Sequence, residues 1–221
     1  MEALINKFFN YFIDADKNGA LQFIDEWAKE NSYKKALEEI VEPALQKFGV
    51  LWSSEGDVNL AQGYISAKIT EEVLMRISNE NGNKVQNGSI KGVAVIGNIE
   101  DDYHALGRKM VYNFLVSSGW KVTDLGNDVL AEEFVDMAAQ LNADIIGASA
   151  MMYSNAKNMI KIRDELDARK LSGKIKFAVG GAIFNLRPKL VNEINADGTA
   201  PNAFAAVDLF NKLKEEIKGG K

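Results

Sequence analysis

The chain has 221 residues, 47% of them apolar and 26% charged, a balance typical of globular proteins that bury a substantial core in one large or two small domains. Its formal net charge of −5, together with the lack of an apolar run long enough to span a membrane, argues against nucleic acid or membrane partners and favours a cytoplasmic protein. With no cysteine and one histidine, the chain excludes disulfides, thiolate nucleophiles and cysteine-ligated metals, so a tightly bound transition metal needs carboxylate ligands or a cofactor that brings its own.

Residues 1–77 have helical periodicity and no strand-like runs. Four amphipathic helices are predicted from apolar positions at Ala3–Phe12, Leu21–Trp27, Tyr33–Phe48 and Leu60–Leu74. Short connections between such helices are typical of an antiparallel bundle, so we predict a helical domain over 1–77. The polar, Asn/Gly-rich stretch 78–89 that follows predicts a linker.

One segment of the helical half has the pattern of a calcium-binding loop. Residues 14–25 place Asp14, Asp16 and Asn18 at alternate positions, a glycine at the sixth position and Asp25 at the twelfth. A second loop, with which EF-hands usually pair, does not follow. The alternative that we favour is a polar turn in which Asp16 or Asn18 caps the second helix.

From residue 90 onward, strand-like and helical patterns alternate. Apolar runs predict strands at 92–97, 120–125, 145–150 and 175–179, with a short fifth strand near 198–200, and helical patterns at about 105–118, 131–141, 155–171, 186–195 and 203–217 lie between and after them. This alternation predicts βαβ units and a Rossmann-like, doubly wound parallel sheet over 90–221.

The single histidine, His104, directly follows the first predicted strand. It lies in the segment Asp102-Tyr103-His104-Ala105-Leu106-Gly107, between that strand and a predicted helix. Ligands of open α/β folds bind at this carboxyl edge of the sheet. An imidazole there can ligate a metal through one nitrogen while the carboxylate of Asp102 orients the other. A solvated loop histidine is the alternative for a histidine considered alone.

The motif Asp102-x-His104-x-x-Gly107 resembles that of the B12-binding domain superfamily of methionine synthase and corrinoid proteins. Other marks of that family follow in order: Ser149-Ala150-Met151 after the third predicted strand and Gly180-Gly181 after the fourth. The resemblance covers about residues 90–217. It departs from the family pattern mildly at Arg108, where lysine is common, and more strongly at Tyr153, where relatives carry a small threonine near the cofactor's tail.

The resemblance implies a corrinoid across the sheet edge, with His104 as the lower axial cobalt ligand and Asp102 as the acceptor that tunes its imidazole. The implied slot for the cofactor's nucleotide tail needs glycine, because a side chain would fill it. Ser149 is expected to hydrogen-bond in the slot or to polarise the Asp102–His104 pair. The cofactor-binding residues implied in this domain are Asp102, Tyr103, His104, Gly107, Ser149, Met151, Tyr153, Gly180 and Gly181.

The amino-terminal half resembles the helical cap that precedes B12 domains in methyl-transferring corrinoid proteins. The similarity lies in Pro43-Ala44-Leu45, in Trp52 and in the stretch 56–60. It implies that Trp52 and Tyr64 contact the cofactor; packing in the bundle core is the alternative for both. Cobalamin photoreceptors carry a Glu-His pair where this chain has Gly63-Tyr64, so an upper histidine ligand is excluded.

The resemblance implies a corrinoid methyl carrier that shuttles a methyl group between Co(I) and methyl-Co(III) states, with cobalt as the reactive centre and no catalytic side chain. Its expected partners are a substrate-specific methyltransferase, an acceptor methyltransferase and a reductive activation protein. A cobalamin-dependent sensor, the small subunit of an adenosylcobalamin mutase, and a domain that has lost corrinoid binding through Tyr153 are the alternatives. The methyl donor, a methylamine, methanol, a thiol or an aryl ether, stays open.

Overall fold

The amino-terminal part of the chain is helical, as its periodicity predicts. The computed structural model describes residues 1–53, 58–82 and 90–219. Its first helices are α1 (Glu2–Ile13), α2 (Lys17–Asn31), α3 (Tyr33–Ala36), α4 (Glu42–Ser53) and α5 (Leu60–Gly82). The chain divides into two compact units, Met1–Val85 and Gln86–Lys221, and these helices form the first unit.

Aromatic side chains form the centre of the helical unit. Phe8 and Phe12, one turn apart on α1, are fully buried, and their ring centroids lie 5.1 Å apart in an edge-to-face arrangement. Phe12 makes a similar edge contact with Phe48 of α4 at 5.9 Å. Aromatic pairs of this geometry contribute about 0.5–1.5 kcal/mol beyond the burial of their area, so these contacts stabilise the packing of α1 on α4.

The third predicted helix is continuous but contains a wider turn. Leu37–Val41 is a π-helical turn between α3 and α4, in which the amide of Glu42 donates to the carbonyl of Leu37 five residues earlier. Pro43 follows directly; it lacks an amide hydrogen, and its ring would clash with a carbonyl in a regular α-turn. The wider turn accommodates this proline without ending the helix.

Helix α5 extends further than its apolar periodicity predicts. It continues through Ser78 to Gly82, so the first five residues of the predicted linker are helical. Polar residues do not stop a helix that has already formed. The rest of the predicted linker, 83–89, lies outside the described residues.

The segment with the calcium-loop pattern is a helix start. The Asp16 carboxylate accepts a hydrogen bond from the amide of Gly19 at 2.9 Å and caps α2, which begins at Lys17. Asp25 lies two turns along that helix and forms an ion pair with Arg76 of α5 at 2.8 Å. Among the residues that the structure describes, no group of three His, Asp or Glu side chains could hold a metal ion. Asp14, Asp16 and Asp25 are therefore not brought together as ligands.

The second unit is a five-stranded parallel sheet, which confirms the predicted fold class. The strands are β1 (Val93–Asn98), β2 (Lys121–Asp124), β3 (Ile145–Ser149), β4 (Lys176–Gly180) and β5 (Gly198–Thr199). Their order is β2-β1-β3-β4-β5. The chain moves outward from β1 to β2 and then returns to the other side of β1 for β3. The direction of winding therefore reverses between β1 and β3, which is where doubly wound sheets bind ligands.

Apolar residues alternate between the two faces of this sheet. Val95, Ile146 and Phe177 belong to one buried cluster, whereas Ala94, Ile145 and Ala178, their neighbours along the same strands, belong to the other. The helices of the unit are α6 (Ala105–Ser117), α7 (Ala131–Gln140), α8 (Tyr153–Asn158), α9 (Ile160–Ala168), α10 (Ala182–Leu186), α11 (Leu190–Glu193) and α12 (Ala203–Gly219). Strands β1, β3 and β4 are buried on both faces, which explains their continuous apolar runs in the sequence, whereas the edge strands β2 and β5 are partly exposed.

Two of the predicted helices are each divided in two. The helix predicted at 155–171 begins earlier, at Tyr153, and is interrupted at Met159 between α8 and α9. The helix predicted at 186–195 is replaced by α10 and α11, which Pro188 separates. Arg187, just before the proline, leaves the helical region with φ −133° and ψ 73°, because a following proline disfavours helical backbone. In the parts of the chain that the structure describes, no helix is both long enough and apolar enough to cross a membrane.

Candidate functional site

The strand register brings residues from separate motifs to one edge of the sheet. Asn98 is the last residue of β1 and pairs with Ser149, the last residue of β3, which pairs in turn with Gly180 at the end of β4. The loops that follow these strands carry Asp102, His104, Met151 and Gly181. Marks that lie up to about 80 residues apart in the sequence therefore meet at the point where the sheet reverses its winding.

The carboxylate of Asp102 is the centre of this edge. It is buried, and each of its oxygens accepts hydrogen bonds. Oδ1 accepts from the Asn98 amide at 2.7 Å and from the backbone amide of His104 at 2.8 Å, and Oδ2 accepts from the backbone amide of Met151 at 2.6 Å. The loops after β1 and β3 are thus joined through one side chain.

The imidazole of His104 contacts the same carboxylate. Its Nδ1 lies 3.3 Å from Oδ1 of Asp102, and 60% of the side chain is exposed. An ionised carboxylate only accepts hydrogen bonds, so Nδ1 must be the donor. In the neutral ring the proton therefore lies on Nδ1, and Nε2 keeps a free lone pair on the exposed side. This arrangement is typical of a histidine that binds a metal through Nε2 while a carboxylate at Nδ1 fixes the orientation of the ring.

The hydrogen bonds of Asp102 keep it ionised despite its burial. Desolvation raises the pKa of this carboxyl. The hydrogen bonds from the amides of Met151 and His104 and from the Asn98 side chain, together with the charge of His104, lower the pKa by a larger amount. The net direction is a pKa below the usual value. Asp102 is consequently a carboxylate, and an acceptor for His104, throughout the physiological range.

A second carboxylate fixes the loop between Asp102 and His104. Tyr103 is exposed, and its hydroxyl donates to Oδ2 of Asp128 at 2.7 Å, while the backbone amide of Asp101 donates to Oδ1 of Asp128 at 2.8 Å. The Asp128 carboxylate raises the pKa of the Tyr103 hydroxyl, because the hydroxyl donates a hydrogen bond to it and because a phenolate beside it would be repelled. These bonds hold the β1–α6 loop against the loop that follows β2.

The three glycines of the candidate slot differ in what they require. A Cβ atom on Gly107 or on Gly180 would project into open space. Gly181 has φ +106°, and a Cβ there would lie 2.0 Å from the carbonyl oxygen of Ala150. Gly181 is therefore needed by the turn from β4 into α10, whereas Gly107 and Gly180 leave room at the edge that a ligand can use.

Several exposed apolar side chains of the second unit lie in segments that follow strand ends. Among the residues that the structure describes, the large ones other than Ile90 follow the carboxyl end of a strand: Tyr103, Leu130, Met151, Met152, Tyr153 and Leu186. Large apolar side chains clustered at a surface mark a binding face. The Ser149 hydroxyl makes no hydrogen bond to any residue that the structure describes, the Asp102–His104 pair included, and can bond to a ligand.

Tyr153 is held by cations. The Nζ of Lys157 lies 5.1 Å from the centroid of its ring, and the guanidinium carbon of Arg187 lies 4.7 Å from it. Both distances are within the range of cation–π attraction. Its side chain is 37% exposed, so Tyr153 forms part of the rim.

The two aromatic residues predicted from the helical half lie in the first unit. Tyr64 is 62% exposed, so packing in the bundle core is wrong for it. The side chain of Trp52 lies outside the described residues. A contact of either residue with the cofactor stays a prediction.

Sequence reasoning missed the polar residues behind Asp102. Asn98 is fully buried, and its Oδ1 accepts from Nη1 of Arg108 at 2.6 Å; the same nitrogen donates to Oδ1 of Asn127 at 2.6 Å. One signal was present, since Asn98 is a polar residue at the end of an otherwise apolar run. The sequence indicates Arg108 only as a residue that replaces the lysine common in the family. Their contacts depend on side-chain rotamers and on the register of β1, which periodicity does not give.

The donor set at this edge fits a metal that arrives with most of its ligands. His104 offers one free imidazole nitrogen, and the open space at Gly107 and Gly180 lies at the same edge. A corrinoid would bring most of the ligands of its cobalt, and His104 would supply a further one. The residues present fit such a group.

Substitution of the glycines separates a requirement of the backbone from one of the ligand. We expect Gly181→Ala to destabilise the protein by more than about 1 kcal/mol, because alanine must adopt a strained φ and displace the Ala150 carbonyl. Gly107→Ala and Gly180→Ala are the controls, and their melting temperatures should stay close to that of the parent. Thermal unfolding followed by circular dichroism measures this. Equal destabilisation by all three substitutions would contradict the distinction.

The ionisation of Asp102 predicts a pH dependence of stability. Its pKa is lower in the folded state than in the unfolded chain, so its contribution is fully present above the unfolded value of about 3.9 and is lost as pH falls through the folded value. We expect Asp102→Asn to be less stable than the parent at pH 7 and the difference to shrink in acid. Urea unfolding of the apoprotein at several pH values tests this; a difference independent of pH would contradict it.

Comparison with known proteins places the chain in a family. The model of the B12 binding domain matches residues 92–208. A corrinoid protein of Desulfitobacterium hafniense (strain Y51) is 34% identical over 76% of this chain and 77% of that protein. Trimethylamine corrinoid protein 2 of Methanosarcina acetivorans is 36% identical, but the alignment covers only 58% of this chain and 56% of that protein.

A solved structure supports the fold of the chain. The monomethylamine corrinoid protein of Methanosarcina barkeri superimposes with a TM-score of 0.81, covering 96% of this chain and 99% of that protein at 23% identity. The site's geometry, the domain match and the similarity over three quarters of the chain agree. The chain belongs to the family of B12-binding corrinoid proteins.

Proposed function

We propose that this protein is a corrinoid methyl carrier, which receives a methyl group from one methyltransferase and gives it up to another. The observation that carries the proposal is the pairing of His104 with the buried Asp102 carboxylate. It leaves one imidazole nitrogen free at the edge of the sheet where ligands bind. The similarity to corrinoid proteins supports the same assignment.

In this proposal each residue has a limited task. His104 binds cobalt from below, and Asp102 holds the proton on Nδ1 so that Nε2 stays available. Gly107 and Gly180 leave space for the cofactor's tail, and the Ser149 hydroxyl hydrogen-bonds to it. Tyr103, Met151 and Tyr153 contact the cofactor from the rim. The corrinoid, when bound, supplies the metal that carries the methyl group; no side chain attacks the substrate.

The proposed partners follow from a carrier's task. Transfer of the methyl group to and from the carrier requires a substrate-specific methyltransferase and an acceptor methyltransferase. A reductive activation protein is required to return cobalt to the Co(I) state after accidental oxidation. Several relatives are named as trimethylamine or dimethylamine corrinoid proteins. Methylated amines are therefore the methyl donors to test first. We also propose 1–77 as a cap domain, 78–89 as a linker and 90–221 as the cobalamin domain.

Removal of His104 tests the axial ligand. We expect the apoprotein mixed with hydroxocobalamin to give the spectrum of cobalt ligated by an imidazole, and His104→Gly to lose that spectrum and bind more weakly. Added imidazole should restore the spectrum in His104→Gly, because a small free base can occupy the space of the missing side chain. Lys174→Ala, an exposed substitution that lies before β4 and keeps the histidine, is the control. An unchanged spectrum in His104→Gly would rule out this ligand.

A transfer assay tests the carrier function. The protein, reconstituted with hydroxocobalamin and reduced, is incubated with labelled methyl iodide and separated from it, and a thiol is then added with the matching methyltransferase. We expect label to remain with the protein and to pass to the thiol only when the methyltransferase is present. Preferential retention of adenosylcobalamin, or a light-dependent change of assembly with that cofactor, would instead support a mutase subunit or a sensor.

A further inference from the structure

Arg108 is a buried cation that is linked to the Asp102–His104 pair through the side chain of Asn98. Only 7% of the residue is exposed, although its guanidinium is a cation with five N–H donors and no acceptor. Its Nη1 donates at 2.6 Å to the side-chain oxygens of both Asn98 and Asn127. Its Nε lies 2.8 Å from Oδ1 of Asp124, an ion-pair distance whose alignment is too poor for a hydrogen bond. A buried charge with this many partners is held in one place.

The contact with Arg108 determines which way the Asn98 amide faces. A guanidinium only donates, so the atom of Asn98 that meets Arg108 must be the oxygen. The amide nitrogen then faces Asp102, to which it donates at 2.7 Å. Arg108 therefore makes Asn98 an obligatory donor to the carboxylate that orients His104.

The distances around Asp102 show the effect on His104. Oδ1 accepts from three donors: Asn98 at 2.7 Å, the His104 amide at 2.8 Å and the imidazole Nδ1 at 3.3 Å. The imidazole bond is the longest of the three. Donors that share one oxygen compete for its lone pairs, and a nearby positive charge further reduces what the oxygen offers to each of them.

We infer that Arg108 is a positioning residue that acts through Asn98 to weaken the hydrogen bond between Asp102 and His104, and so limits the electron donation of the imidazole to cobalt. The inference deepens the proposed function and rests on His104 being the axial ligand. A stronger bond at Nδ1 makes Nε2 a better donor, which favours the higher oxidation state of a bound metal. Arg108 consequently eases reduction of the cobalt.

The apoprotein gives a first test that needs no cofactor. Because His104 is the only histidine, its ring gives a single set of imidazole signals in proton–nitrogen NMR spectra. In the neutral ring, the Nδ1 proton should move downfield in Arg108→Met, since Asp102 accepts from it more strongly. Arg108→Lys, which keeps the charge and one donor, should return the signal toward its position in the parent.

The holoprotein gives the second test. With hydroxocobalamin bound, we expect Arg108→Met to have a roughly tenfold higher ratio of Co(II) to Co(I) at a fixed applied potential, because groups behind a metal ligand tune its basicity and so the metal's potential. For one electron this corresponds to a midpoint lower by about 59 mV. Arg108→Lys should recover most of the shift.

Matched variants separate this role from a loss of packing. Arg163→Met removes a comparably buried arginine, one that is paired with Asp197 at 2.6 Å, and it should lower the melting temperature without moving either readout. If Arg108→Met does not fold, Asn98→Val replaces it, since that change also removes a donor from Asp102 and should shift both readouts in the same direction.

Two results would overturn the inference. One is an Nδ1 proton that stays in place in both Arg108→Met and Asn98→Val. The other is a shift of the Nδ1 proton upfield with an easier reduction of cobalt, as expected if Arg108 only orders the loop. A parent holoprotein without an imidazole-ligated spectrum would instead contradict the proposed role of His104, and the NMR measurement on the apoprotein would still test Arg108.

Discussion

The candidate site depends on one buried carboxylate that must be satisfied. Asp102 has lost its contact with water, and an ionised carboxylate without partners would be strongly destabilising. Its partners come from the end of β1, from its own loop and from the loop after β3. The cost of burying this charge therefore ties together the loops on both sides of the winding reversal, and the imidazole of His104 is oriented as part of the same arrangement.

Burial alone would make Asp102 easier to protonate, yet its hydrogen bonds move its pKa the other way. The direction matters for His104, because a protonated carboxyl could donate a hydrogen bond to Nδ1. The proton of the neutral ring would then lie on Nε2, which would have no lone pair for a metal. As long as Asp102 only accepts, Nδ1 donates and Nε2 stays free. In the proposed role of His104 as a metal ligand, Asp102 therefore leaves Nε2 as the nitrogen that is available.

Much of the fold could be predicted because it depends on patterns that the sequence displays directly. The four longer strands were predicted to within about two residues, and three of them, β1, β3 and β4, are buried strands whose apolar residues are nearly continuous in the sequence. The positions of Asp102, Ser149 and Gly180 at strand ends then placed them at one edge through the topology. By contrast, the extension of α5 and the π-helical turn before Pro43 depend on how a helix accommodates single residues. The periodicity of apolar residues does not contain this information.

The contacts within the site were less accessible to prediction, and the glycines show why. The motif treats Gly180 and Gly181 alike, but only Gly181 is required by its backbone angle and by the Ala150 carbonyl. Likewise, replacement of lysine by Arg108 is conservative by charge, whereas its planar group reaches Asn98 and Asn127 from a single nitrogen. Such distinctions arise from atoms brought together by folding. The residues that touch the ligand can therefore be inferred from a motif, while those that adjust its chemistry, as we infer for Arg108, become visible only once their neighbours are known.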